Sequence, residues 1–358
     1  MERMVIAVDA MGGDNAPGAV CEGVKLALGD MADISILLYG PEEALKAQFP
    51  AGSYDANRLT IIDAPEVIDI HESPMLAVRR KVKSSMVMAM IAVKEGRAQA
   101  VLSAGSTGAL LAGGMTRIGR IRGIDRPALA TVLPGRTKPF VLIDSGANVD
   151  CQPQYITQFG MMGAIYAKQV LGVADPRVGL VNIGSESEKG NQLSKAAHAL
   201  MAAQSVFTFA GNIEARDIPL GAADVIAADG FDGNILLKYT EGLAGALMGM
   251  LKDEMKQGIR SKLGAALMMP ALRRFKSRMD YEEYGGAPFL GIEGALIKAH
   301  GSSGATAFKN AIRQARIMIT GDVTGAIRSE LTRLLPTDSA SEKAPEDAVS
   351  ATGSIATK

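Results

Sequence analysis

Short runs of apolar residues that stop at Gly, Asp or Asn alternate along the chain with longer stretches of helical period. The runs cover 5–9, 34–40, 59–63, 100–103, 139–144, 177–184, 206–211 and 224–229. Because they are apolar throughout instead of alternating with polar residues, they predict parallel strands buried on both faces. Between several of them lie helix-length stretches such as 107–118, 157–171 and 191–204. The repeated strand–helix–strand pattern predicts an α/β fold.

Two regions depart from this pattern. From 336 to 358 the chain is Ser, Ala, Thr, Glu, Asp and Lys with almost no large apolar residue, so a disordered polar tail is expected after a catalytic domain of residues 1–335. From 241 to 286 an amphipathic helical hairpin is expected, with Pro270 as a bend or helix start. Within it, residues 252–278 hold eight basic side chains against two acids, a local balance of +6. Leu263, Leu267, Met268, Leu272 and Phe275 are interleaved with those charges, which include Arg273. Such a face can lie among the headgroups of an anionic bilayer or pack against another subunit.

Over the whole 358-residue chain 38 basic residues balance 38 acidic ones, so net charge names no partner and argues against a nucleic-acid-coating surface. No apolar stretch is long enough for a spanning helix, and no secretory leader opens the chain; both point to the cytoplasm. The only cysteines, Cys21 and Cys151, are too few for a zinc site or a disulfide framework and read as buried small hydrophobes. No acidic cluster has the spacing of a metal loop, so neither a metal nor a cofactor is expected.

Forty glycines make the turns the informative part of the chain. Asp9-Ala-Met-Gly-Gly-Asp-Asn15 closes the first strand, with two glycines for close backbone approach and acids that can accept. Its spacing is neither a dinucleotide fingerprint nor a P-loop. Ser103-Ala-Gly-Ser-Thr-Gly108 opens a helix of small residues, where exposed amides suit a phosphate oxyanion; Gly105, Ser106, Thr107 and Gly108 are its candidate binders. Asp144-Ser-Gly-Ala-Asn148, Asn182-Ile-Gly-Ser-Glu-Ser-Glu-Lys-Gly190 and Asp229-Gly-Phe-Asp-Gly-Asn234 share the style and could point into one crevice at the strand ends, with Lys189 as the candidate cation. Each could equally be a capped structural turn. Of three histidines, His71 and His198 read as surface or core, whereas His300 precedes Gly-Ser-Ser-Gly304 and could donate to an anion or serve as an acid. Arg79, Arg80, Lys81 and Lys83 form a basic run that could hold a charged partner or a solvated helix face.

Taken together and in order, these turns and the His300-Gly-Ser-Ser302 segment resemble the bacterial phosphate acyltransferases of the PlsX family from about residue 4 to 335. The resemblance implies transfer of a long-chain fatty acyl group from acyl carrier protein to inorganic phosphate, giving acyl phosphate for phosphatidic acid and phospholipid synthesis. It further implies a three-layer α/β/α Rossmann-like sandwich related to the isocitrate and isopropylmalate dehydrogenases, a homodimer, and peripheral attachment to the cytoplasmic membrane.

The chemistry of the turns is compatible. A phosphate dianion is abundant at neutral pH because the relevant pKa is about 6, and a thiol of pKa about 8.5 leaves largely as thiolate. Neither a strong base nor a strong acid is required. Direct attack by phosphate is therefore expected, with Asn148 and His300 donating to the oxyanion or the departing sulfur and Asp9, Asp144 and Asp232 orienting donors. The alternatives are a nicotinamide-dependent dehydrogenase, against which the missing fingerprint weighs, and a non-catalytic adaptor that collects acyl carrier protein. An acidic carrier would dock on the 79–83 run or on the hairpin.

Overall fold

The computed structural model describes residues 3–50, 52, 54–279 and 285–334, with the backbone alone for 276–279. The expected tail at 336–358 and the far end of the expected hairpin, 280–284, lie outside the described residues.

Eleven strands form one sheet among the described residues. They are β1 (Met4–Asp9), β2 (Ile34–Gly40), β3 (Leu59–Asp63), β4 (Ala100–Ser103), β5 (Ala128–Leu133), β6 (Phe140–Ile143), β7 (Arg177–Asn182), β8 (Thr208–Glu214), β9 (Val225–Ala227), β10 (Ala287–Leu290) and β11 (Ala295–Lys298). The helices are α1 (Gly18–Asp30), α2 (Glu42–Gln48), α3 (Pro74–Arg80), α4 (Ser85–Lys94), α5 (Thr107–Gly113), α6 (Pro153–Leu171), α7 (Gln192–Ala203), α8 (Gly230–Met255), α9 (Gly258–Met279), α10 (Ala305–Thr320) and α11 (Val323–Leu334).

The sheet order is β3-β2-β1-β4-β11-β10-β5-β6-β9-β7-β8. The expected parallel pairing holds within β3-β2-β1-β4-β11 and within β6-β9-β7-β8. Between these halves β10 and β5 pair antiparallel to their neighbours, so the halves run in opposite directions. The seam strands β5, β10 and β11 are absent from the eight apolar runs read from sequence. Two of them are only four residues long and interrupted by Pro288 or ended by Lys298, which hides them from a pattern search.

Strand residues feed two faces alternately. On β1 Ile6 and Val8 enter the large core cluster while Ala7 enters another; on β9 Val225 and Ala227 enter the large cluster while Ile226 enters a third. The large cluster spans the whole sheet beneath α1, α6, α7, α10 and α11, which makes three layers of helix, sheet and helix. The opposite face is covered by two separate caps. One is built on α3, α4 and α5, and the other holds Ile213, Ile218 and Leu237. Strand β5 crosses the gap between them: Leu129 belongs to the first cap, Leu133 to the second, and Thr131 lies between. A polar residue at the middle of a buried alternation marks where the sheet is uncovered.

Two helices, α8 and α9, occupy most of the region where the hairpin was expected, and α8 starts at Gly230, before the expected start at 241. Asp229 caps it, its Oδ1 accepting from the amides of Phe231 and Asp232 at 2.8 and 2.9 Å. Pro270 neither starts nor ends a helix but lies inside α9. The carbonyl it leaves unbonded belongs to Ala266, which is exposed, so water can satisfy it.

Candidate active site

The gap over β5 is a cleft of about 310 Å³, at the lower end of small-molecule pockets. Its walls come from turns far apart in sequence: Thr107 after β4, Ser145 and Gly146 after β6, and Lys298, His300 and Ser303 at the end of β11.

One rim is stitched from the turns after β1, β4 and β11. The Asp14 amide donates to the Gly301 carbonyl at 2.8 Å, and Asn15 Nδ2 donates to the Ser302 carbonyl at 3.2 Å. Buried Asp9 accepts from Ser103 Oγ at 2.6 Å, and Ser103 Oγ in turn accepts from the Gly105 amide at 3.0 Å. Burial pushes the Asp9 carboxyl up, while these hydrogen bonds pull the other way. Asp9 thus sits behind the rim and fixes the turn. Of the four candidate phosphate binders in that turn, Thr107 lines the cleft. Gly105 and Gly108 instead permit close packing, since a Cβ there would lie 2.4 Å from Met86 Cε and 2.8 Å from Pro74 Cγ. The Ser106 hydroxyl caps α5 by accepting from the Ala109 amide at 3.5 Å.

The opposite rim is organised by Asp144, which is fully buried. Its Oδ1 accepts from the amides of Leu129, Gly146 and Ala147 at 3.0, 3.2 and 3.1 Å, and its Oδ2 from the Asn148 amide at 2.7 Å. Burial raises its pKa against the pull of these donors. Asn148 does not reach the cleft as an oxyanion donor: its Nδ2 already donates to the Pro127 carbonyl and to Asp144 Oδ2, both at 2.8 Å. It braces the turn that presents Ser145. That serine's hydroxyl donates to the Leu129 carbonyl at 3.0 Å and lies 2.7 Å from Thr131 Oγ1.

Helix α8 joins the two rims. A Cβ on Gly233 would lie 1.9 Å from the Asp144 carbonyl oxygen, and one on Gly230 2.4 Å from that of Asn148, so both glycines allow the helix to rest on the turn. Asn234, Leu237, Lys238 and Glu241 then line the cleft at helical spacing. Lys238 Nζ pairs with Glu241 Oε2 at 2.8 Å and stands 3.4 Å from His300 Nε2. The other ring nitrogen, Nδ1, accepts from the Ser302 amide at 3.3 Å and lies 2.8 Å from Ser302 Oγ. Burial and the Lys238 charge hold the His300 pKa down, which favours the neutral ring.

The next face of α8, with Asp232, Ile235, Leu236 and Tyr239, lines a second cavity of about 560 Å³ beside Asn182 and Gly190. Asp232 belongs there and not with the cleft; burial and the neighbouring Asp229 raise its pKa. Lys189 does not join Gly105 and Thr107 either. It is exposed in the turn after β7, its carbonyl accepting from Asn182 Nδ2 at 3.1 Å. The Ser103 and Asp144 turns thus contribute to the cleft and the Asn182 turn to the second cavity, while the segment from Asp229 to Glu241 lines both.

Neither cysteine lines the cleft. Burial pushes the Cys21 thiol up to about 11 and the Cys151 thiol up to about 12. Among the described residues no group of three His, Cys, Asp or Glu is placed to hold a metal ion, and no helix is long and apolar enough to cross a membrane. Lys298, Lys238 and Glu241 were not among the sequence candidates. The α8 spacing of Asn234, Lys238 and Glu241 carries that signal, as does a lysine closing the short apolar run 295–297.

A family model described as fatty acid synthesis protein matches residues 4–325. A phosphate acyltransferase of Clostridium perfringens is 51% identical over 330 residues, covering 92% of this chain and 97% of that protein. One from Clostridium botulinum is 52% identical over 332 residues, covering 93% and 99%. Among solved structures, a phosphotransacetylase from Streptococcus pyogenes shares the fold with a TM-score of 0.57 at 16% identity, covering 92% of this chain and 94% of its own.

Proposed function

This chain belongs to the fatty acid synthesis protein family, and on that premise we propose that its cleft transfers a long-chain acyl group from acyl carrier protein to inorganic phosphate. The chain is an acyltransferase enzyme acting in fatty acid and phospholipid synthesis. The relatives' names favour acyl transfer over the dehydrogenase reading of a similar fold.

The observation that carries the reading is the cleft over β5, where backbone turns, Thr107, Lys238, Lys298 and His300 meet without an activated side-chain nucleophile. Ser302 does touch His300, yet the ring's other nitrogen faces an ammonium in place of a carboxylate, which weakens it as a base. A phosphate oxygen attacks the thioester carbon, the tetrahedral oxyanion collapses, and the C–S bond breaks with its electron pair leaving on sulfur. The product is an acyl phosphate and no acyl group rests on the protein. One donor aimed at the oxyanion is worth about 2.7 to 4 kcal/mol. The geometry does not favour Asn148 for that task, because Pro127 and Asp144 already take its side-chain amide.

The hairpin supports peripheral membrane contact from the cytoplasm, because Leu263, Leu267, Met268 and Phe275 are exposed beside Arg260, Lys262, Arg273 and Arg274. Pairing with a second copy to form a homodimer could use the same helices. The carrier's acidic surface has Arg79, Arg80 and Lys83, exposed around α3, as one site; Lys81 is already paired with Glu72.

The test combines acyl carrier thioester with labelled phosphate. A hydroxylamine-sensitive labelled product, formed as thiol is released, is expected. Thiol release that does not depend on phosphate, or an acyl adduct on Ser302, Cys21 or Cys151 during turnover, would overturn the direct route.

A further inference from the structure

Two ammonium groups enter the cleft from opposite walls. Lys298 ends β11 and Lys238 lies one turn along α8 from Asn234, and both side chains line the same hollow. A lysine ammonium has three hydrogens to place. Lys298 gives two of them to main-chain carbonyls, Ala299 at 2.6 Å and Ala104 at 3.5 Å. Lys238 directs one of its own to Glu241 Oε2 and stands 3.4 Å from His300 Nε2. At least one hydrogen on each is left for the cleft.

The charges around them do not balance. Glu241 neutralises Lys238, but among the described residues no carboxylate pairs with Lys298 at ion-pair distance. Asp14, on the turn after β1, acts on Lys298 only across space, and His300 beside it offers no negative charge. A half-buried ammonium without a counter-ion is costly. A fold that keeps one at the wall of a cavity is complementary to an anion that enters and leaves. A second cation nearby suits an anion of two charges more than one.

We infer that Lys298 and Lys238 together form the seat of the phosphate dianion, with Lys298 its main charge partner and Thr107 a neutral donor beside them. This rests on the acyl-transfer reading of the cleft and assigns residues to its second substrate. Lys298 is fixed by its two carbonyl bonds, so its remaining N–H is aimed before the anion arrives, and Lys238 carries the same anion toward His300. A phosphodiester on the acyl donor has the same oxygens with a single charge, and the experiment separates the two.

Burial and the Lys238 charge depress the Lys298 pKa to about 8, with Asp14 opposing. An entering dianion favours the charged form. Phosphate affinity should therefore be greatest between about pH 6, below which the dianion itself is protonated, and about pH 8, and decline above that as the free enzyme's Lys298 loses its proton. Arginine at this position would keep its charge and remove that decline.

The experiment uses the full-length protein and inorganic phosphate. Lys298→Gln is expected to raise KM for phosphate about ten- to a hundredfold, as for loss of a charge-assisted hydrogen bond, with KM for the acyl thioester little changed. Lys298→Arg is expected to recover part of the affinity and to lose the alkaline decline. In the wild type, labelling of Lys298 by an amine-reactive reagent should be slowed by phosphate and not by dimethyl phosphate. An unchanged phosphate KM in a folded Lys298→Gln protein overturns the assignment. So does labelling that ignores phosphate, which decides the matter even if the variant does not fold. Equal protection by dimethyl phosphate overturns the dianion seat in favour of a diester site. Phosphate-independent thiol release by the wild type would instead sink the acyl-transfer reading, while protection of Lys298 by phosphate would still report binding.

Discussion

Lys238 Nζ on α8 lies 3.4 Å from His300 Nε2 in the turn after β11, joining two segments 62 residues apart across the mouth of the cleft. The contact sets the state of the histidine. Burial and the adjacent ammonium both disfavour a second positive charge and hold the His300 pKa below its ordinary value. A neutral ring can hold Lys238 and Ser302 in place, but it is a poor reservoir of acid.

Replacing Lys238 by Met removes the charge and leaves a side chain of similar length. The His300 pKa should then rise toward the ordinary value of about 6.5. The measurement is the NMR titration of the ring C–H signals, with His300→Gln assigning the resonance among three histidines. An unchanged or lower pKa would show that Lys238 does not act on the ring.

Glycines at the two rims should differ in what they tolerate. A Cβ at Gly233 meets the Asp144 carbonyl oxygen at 1.9 Å, and backbone cannot step aside. At Gly105 the nearest atom is the end of the Met86 side chain, which can swing away. Gly233→Ala should cost about 1 to 3 kcal/mol in urea unfolding and lift α8 off the turn, with a loss of turnover. Gly105→Ala should cost less than Gly233→Ala. The reverse order would mean that α8 is not seated on the Asp144 turn.

On the hairpin, Leu263 and Leu267 are 62% and 85% exposed, so neither supports the core of the protomer. Leu263→Glu with Leu267→Glu should leave the unfolding curve of the monomeric unit unchanged and abolish co-sedimentation with anionic vesicles. Undiminished sedimentation would remove these two leucines from the membrane face.

The turns and the parallel halves were legible in the sequence because each ends a run of apolar residues with Gly, Asp or Asn. The seam was not. Strands β10 and β11 are only four residues long, all three seam strands pair antiparallel on at least one side, and they carry Pro288, Thr131 and Lys298 where a buried strand would be uniformly apolar. Those departures are what uncover the cleft. The grouping of the turns was likewise hidden, since Asn182 and Asp232 line the second cavity while His300 lines the cleft, a division that depends on where α8 lies across the strand ends. Asn148 shows the limit of reading roles from residue type: its amide could donate to a substrate, but Asp144 and Pro127 already take it.

Helix α8 runs without interruption from Gly230, seated on the Asp144 turn, to Met255 at the hairpin. At 1.5 Å per residue its 26 residues reach about 39 Å, and each residue added or removed swings the far end by about 100° about the axis. Hairpin length is thereby quantised: a change of seven residues rotates the tip by only about 20°, whereas a change of two turns its greasy side toward the opposite quarter. Chimeras that exchange this arm between relatives should succeed when the splice preserves that phase, whatever the similarity of the swapped sequences.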